Sequence, residues 1–112
     1  MCHSDAVAGL AVHPERQDGR CLLRVSGELD LATVEVLRSA ADDQFAAGDV
    51  GDLEIDLAGL NFLDSSGLGT LLQIRSDALS RGATFHIGAV APGVARVIEI
   101  AGLTSTFGIE RG

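Results

Sequence analysis

The 112-residue chain carries 16 Asp and Glu against 8 Lys and Arg, for a formal net charge of -8. That excess argues against nucleic acid or an anionic membrane as partner, since both need cations to neutralise phosphates, and it favours a basic protein surface. At 11.6 kDa with 46% hydrophobic and 21% charged residues, the chain suits one globular domain, has no apolar run near the ~18 residues of a membrane helix, and opens without a signal-peptide pattern, so cytoplasm is the expected location.

Residues 1–6 read as a flexible tail. Val7 to His13 is a weak first strand, and PERQDG, Pro14 to Gly19, has the Pro and Gly of a hairpin loop. In RCLLRVSG, Cys21, Leu23 and Val25 alternate with Leu22, Arg24 and Ser26, the period of a second strand. The period then changes. Val34, Leu37, Ala41 and Phe45 recur at three or four residues with Glu35, Arg38, Asp42 and Asp43 facing away, which predicts a helix capped by Asp30 and ended near Gly48.

DLEIDLAG alternates again, with Leu53, Ile55 and Leu57 opposite Glu54 and Asp56. After an apolar loop, a helix is expected from about Ser66 to Arg81, with Gly82 as its left-handed cap. Its apolar stripe of Leu68, Leu71, Leu72, Ala78 and Leu79 is interrupted by Arg75: either the Arg stem packs while its head reaches water, or Leu68 and its neighbours face a partner. ATFHIG is a further strand, Pro92 to Gly102 a third helix, and Thr106 to Glu110 a last short strand with Phe107 and Ile109 on one side.

Polar residues at alternate strand positions leave one sheet face open, because a parallel sheet covered on both faces is apolar throughout. The expected fold is therefore α/β: a mixed, mostly parallel sheet with helices mainly on one face, in the order β-β-α-β-α-β-α-β, with right-handed crossovers between parallel strands.

Familiar enzyme motifs are missing. There is no phosphate-loop Lys, no third Gly of a dinucleotide fingerprint, and no Gly two residues on each side of a serine as in a hydrolase elbow. His3, His13 and His86 fall on predicted exposed positions, and Cys2 and Cys21 lack metal-site spacing and read as free thiols. No catalytic residue, cofactor or metal is expected. What remains is Asp30 and Asp64, both at carboxyl ends of predicted strands, where open α/β sheets present ligands. Taken locally, Asp30 is a helix cap and DSSG, Asp64 to Gly67, is a cap followed by small residues.

Three segments together, GELD (Gly27 to Asp30), DLAGLNFLDSSGLGTLL (Asp56 to Leu72) and IEIAGL (Ile98 to Leu103), resemble the STAS domain of bacterial anti-sigma factor antagonists. The resemblance covers nearly the whole chain, so residues 1–112 are expected to form one STAS domain. It implies a non-enzymatic switch: Ser65 is the phosphoacceptor, with Ser66 the alternate, and Asp30, Thr33, Asp64, Ser66, Gly67 and Leu68 form the partner-binding set. It also implies the partners. The unphosphorylated form binds an anti-sigma factor that is a GHKL-type serine kinase and frees its sigma factor, phosphorylation stops this, and a metal-dependent serine phosphatase restores it. The alternative is a STAS scaffold without phosphotransfer, stressosome-like or associated with a transporter.

Overall fold

The period-two segments assemble into one sheet of five strands in chain order, β1 (Asp5–Val7), β2 (Leu10–Gln17), β3 (Arg20–Leu29), β4 (Asp52–Leu63) and β5 (Thr84–Val90). This computed structural model describes residues 5–7 and 9–109. The first two pairings are antiparallel and the last two parallel. Helices α1 (Val34–Ala47) and α2 (Ser65–Ser80) connect the parallel strands, and α3 (Pro92–Ile100) follows β5. The sheet is mixed, as expected, and β1 adds an antiparallel strand from a segment expected as tail, with Asp5 opposite Val12.

Alternation decides which face is covered. Val12, Leu23, Val25, Leu53, Ile55 and Ile87 are fully buried and join Leu37 and Ala41 of α1, Leu71 and Ile74 of α2, and Val94 and Ile98 of α3 in one cluster. Helix α1 lies over β1 to β3, α2 lies over β4 and β5, and the two helices touch. The opposite face carries Arg24, Glu54, Asp56 and His86, partly paired: Arg24 with Glu15 at 3.4 Å, and His86 with Glu54 at 3.2 Å and Asp52 at 3.7 Å. Exposed pairs of this kind contribute at most about 1 kcal/mol each.

Three expectations need correction. PERQDG is not a loop: β2 runs through Pro14 to Gln17, and only Asp18 and Gly19 turn, both at positive φ (52° and 80°), as in a two-residue hairpin. Pro14 is tolerated because β1 pairs only with Leu10 to Val12, so β2 is an edge strand beyond that point.

The apolar loop before DSSG is also strand. Register shifts against β3 give β4 extra residues between Asp56 and Phe62, so its buried side chains pass from every second residue to every third, Leu57, Leu60 and Leu63.

The last strand does not form. Residues 104–108 are turn, with the Phe107 N–H donating to the Leu103 carbonyl at 3.0 Å and Gly108 at φ 65°. Phe107 is nonetheless fully buried, 6.2 Å from the Phe85 ring, and its carbonyl accepts the Ile87 N–H at 2.8 Å. The expected strand end at Glu110 lies outside the described residues.

Candidate functional site at the ends of β3 and β4

Both acids leave the sheet together. Leu29 and Leu63 are register partners in the parallel β3–β4 pair, and the Asp64 N–H donates to the Leu29 carbonyl at 3.3 Å. Asp30 and Asp64, the next residue on each strand, therefore start from backbones about 4.8 Å apart, the ordinary strand spacing.

GELD has a structural reason for its glycine. Gly27 sits at φ 102°, and a Cβ there would strike the Gly9 carbonyl, which also accepts the Glu28 N–H at 2.6 Å. Leu29 is then buried, and Asp30 starts a turn: its carboxylate accepts the Ala32 N–H at 3.0 Å, and its carbonyl accepts from Thr33 and Val34. Asp30 is thus not the cap of α1 itself. That position belongs to Thr33, because a turn over Leu31 to Thr33 intervenes.

In DSSG the cap is the acid. Asp64 is extended, its carboxylate accepts the Gly67 N–H at 3.0 Å, and its carbonyl takes the Leu68 N–H to close the first turn. The helix accordingly starts at Ser65, one residue earlier than expected. Capping by Asp64 leaves the hydroxyls available: Ser65 is exposed at the first helical position and Ser66 is half-buried.

Gly67 is buried for lack of room. A Cβ there would lie 2.5 Å from Leu63 Cδ1 and 3.0 Å from the Leu29 carbonyl oxygen. Its absence lets the start of α2, with Ser65, rest against the end of β3. Gly67→Ala should therefore cost about 1–3 kcal/mol of stability through overpacking, read by urea denaturation. An unchanged midpoint would contradict this packing.

Of the expected partner-binding residues, Asp30, Asp64, Ser66 and Leu68 are half-buried at this end of the molecule, while Thr33 is only 3% exposed and Gly67 is buried. Thr33 and Gly67 therefore offer no side-chain surface for docking. Two residues outside that set do. Leu31 is 78% exposed and Phe62 is 48% exposed, one just after Asp30 and one just before Leu63. The sequence reading singled out neither; the available signal was that Leu29 and Leu63, at the strand ends, fill the core beside them.

On α2 the packed residues are Gly67, Thr70, Leu71, Ile74 and Ala78. Arg75 lies half-buried beside this stripe rather than within it, and Leu79 is 46% exposed. Cys21 is buried, its Sγ 3.7 Å from Gln44 Oε1, and Cys2 lies outside the described residues. Among the described residues no group of His, Cys, Asp and Glu is arranged to hold a metal ion, and no helix is long and apolar enough to cross a membrane.

Known proteins resemble the chain over most of its length. The family model described as "Mlab, STAS domain" matches residues 12–109. An anti-sigma F factor antagonist of Paenibacillus polymyxa is 31% identical over 94 residues, covering 84% of this chain and 80% of the relative. The anti-sigma-F factor antagonist RsfB of Mycobacterium tuberculosis is 32% identical over 90 residues, covering 80% of this chain and 72% of the relative. Among solved structures, an anti-sigma factor antagonist from Mycobacterium paratuberculosis superposes with a TM-score of 0.80 at 30% identity, covering 96% of this chain and 91% of that one. With the sheet order, the paired acids and the DSSG helix start already pointing the same way, the chain belongs to the STAS-domain family of anti-sigma factor antagonists.

Proposed function

We propose that the protein is a cytoplasmic, non-enzymatic anti-sigma factor antagonist: unphosphorylated, it binds an anti-sigma factor that is a GHKL-type serine kinase and frees the sigma factor, and phosphorylation of Ser65 switches it off. A metal-dependent serine phosphatase reverses the switch. The observation that carries this reading is an exposed Ser65 at the first position of α2, beside two strand ends that carry Asp30 and Asp64. The names of the relatives support the choice of partner.

Charge explains why modification acts on docking. A phosphoserine adds roughly -1.5 to -2 charges, and at a helix start the dipole favours it by only about 0.3–1 kcal/mol. The fold is little affected. At an interface already holding Asp30 and Asp64, the same charge opposes a docked partner that presents acidic groups or a bound nucleotide at this end, by about 2–5 kcal/mol once water is excluded.

Adding the unmodified protein to the host's complex of anti-sigma kinase and sigma factor, followed by size-exclusion chromatography, tests the proposal. Sigma factor should elute free, and an intact complex at saturating protein would overturn it. Leu31 and Phe62 supply the apolar anchors that a charged rim lacks. Alanine at either should weaken kinase binding by about 1–2 kcal/mol, read by calorimetry; the melting temperature should stay unchanged for Leu31→Ala, whose side chain is 78% exposed, and fall by a few degrees for Phe62→Ala, which is 48% exposed.

The scaffold reading draws on the description of the matching family model, which names Mlab. It predicts that partner affinity is indifferent to charge at Ser65.

A further inference from the structure

Thr33 stands out at the site because it is polar yet buried, one of two such side chains among the described residues. Its hydroxyl is fully used. It accepts the Asp30 N–H at 3.0 Å and donates to the Glu28 carbonyl at 2.8 Å, with the Asp30 carboxylate 3.3 Å away. A hydroxyl has one proton, and the Glu28 carbonyl is the nearest acceptor, nearer than the Asp30 carbonyl at 3.4 Å. One side chain thereby ties both ends of the Glu28–Asp30 segment to the turn that precedes α1. The tie lies where β3 leaves the sheet and its backbone loses regular ladder partners.

We propose that Thr33 is a positioning residue: it touches no partner, and its hydroxyl holds Asp30 at the distance from Ser65 that the docked kinase recognises. The inference rests on the switch reading and adds a residue that acts through another. Without the hydroxyl, the Asp30 N–H and the Glu28 carbonyl lose their partner, and the turn that carries the Ala32 N–H to the Asp30 carboxylate loses its anchor. Valine keeps the shape of threonine and lacks the hydroxyl, while serine keeps the hydroxyl and lacks the methyl, so the pair separates hydrogen bonding from packing.

Amide hydrogen exchange on the free protein reads the clamp directly. Thr33→Val should speed exchange at the Asp30 N–H, whose hydrogen bond the Thr33 hydroxyl accepts, and Thr33→Ser should restore it; unchanged exchange at Asp30 in Thr33→Val would overturn the proposal. Binding to the host's anti-sigma kinase reads its purpose. Thr33→Val should lose about tenfold in affinity with Thr33→Ser close to wild type, and Thr33→Val added to Asp30→Ala should lose nothing further, the non-additivity of a residue acting through its neighbour. A full additional loss in the Asp30→Ala background would show that Thr33 acts independently and overturn the proposal. Wild-type protein that binds no anti-sigma kinase would instead overturn the switch reading, and exchange at Asp30 would still decide the clamp.

Discussion

Ser65→Asp is expected to lower affinity for the proposed anti-sigma kinase by about thirtyfold or more while leaving thermal stability almost unchanged, the largest functional effect expected of any single substitution. The two halves of the expectation have one cause. Ser65 is exposed at the first position of α2, and the cap belongs to Asp64, so a carboxylate there displaces no packed group and breaks no helix-starting bond. In the free protein the new charge is solvated, and the helix dipole offsets its repulsion from Asp64 to within about 1 kcal/mol. Docking removes that water. A third negative charge beside Asp30 and Asp64 then costs about 2–5 kcal/mol, the range found when like or unpaired charges are desolvated at interfaces. Ser65→Ala, which adds no charge, should bind as wild type does. Calorimetric titration of both variants checks the pair, and equal affinity of Ser65→Asp and wild type would favour the scaffold reading.

Phe107→Ala should give the largest loss of stability, about 3–5 kcal/mol, or on the order of 15 °C in melting temperature. Phe107 is fully buried although it lies in a turn, packed at an angle on Phe85, with its carbonyl on the Ile87 N–H of the edge strand β5. Its removal empties a ring-sized space under the end of the chain and takes away an aromatic pair as well. Gly67→Ala overpacks where Phe107→Ala leaves a void, and Gly67 is the closer of the two to the site. A melting temperature for Phe107→Ala within a few degrees of wild type would mean that the turn collapses to refill the space.

Phe107 also shows where sequence reading stops. TFGIE has the alternation of a strand, and the faces of β3, β4 and β5 and the stripe of α1 were legible by the same rule, because one buried face imposes period two on strands and 3.6 on helices. That rule knows nothing of backbone closure. The Phe107 N–H finds the Leu103 carbonyl and Gly108 takes a positive φ, so the same apolar residue is buried from a turn. Bulges hide in a similar way: Leu57, Leu60 and Leu63 share a face only because β4 slips against β3, which no single strand records. Pro14 looked like a loop residue since its tolerance depends on where β1 ends.

The site was legible in part. Asp30, Asp64 and the serines stood out as a combination, and their adjacency follows from consecutive positions at the ends of paired strands. Their division of labour did not. Thr33 and Gly67 share a motif with the other expected contact residues yet are buried, one for its hydroxyl and one for lack of a side chain, whereas Leu31 and Phe62, outside that set, are exposed. Burial at a strand end depends on three elements meeting there, and none of the three segments contains that information alone.

The proposed switch turns on which atom receives the phosphate. Incubating the protein with the host's anti-sigma kinase and ATP, then locating the phosphate by peptide mass spectrometry, tests it most directly. One phosphate is expected, on Ser65, that disappears in Ser65→Ala; a phosphate confined to another residue, or none on wild-type protein under conditions where the two proteins bind, would rule the switch out.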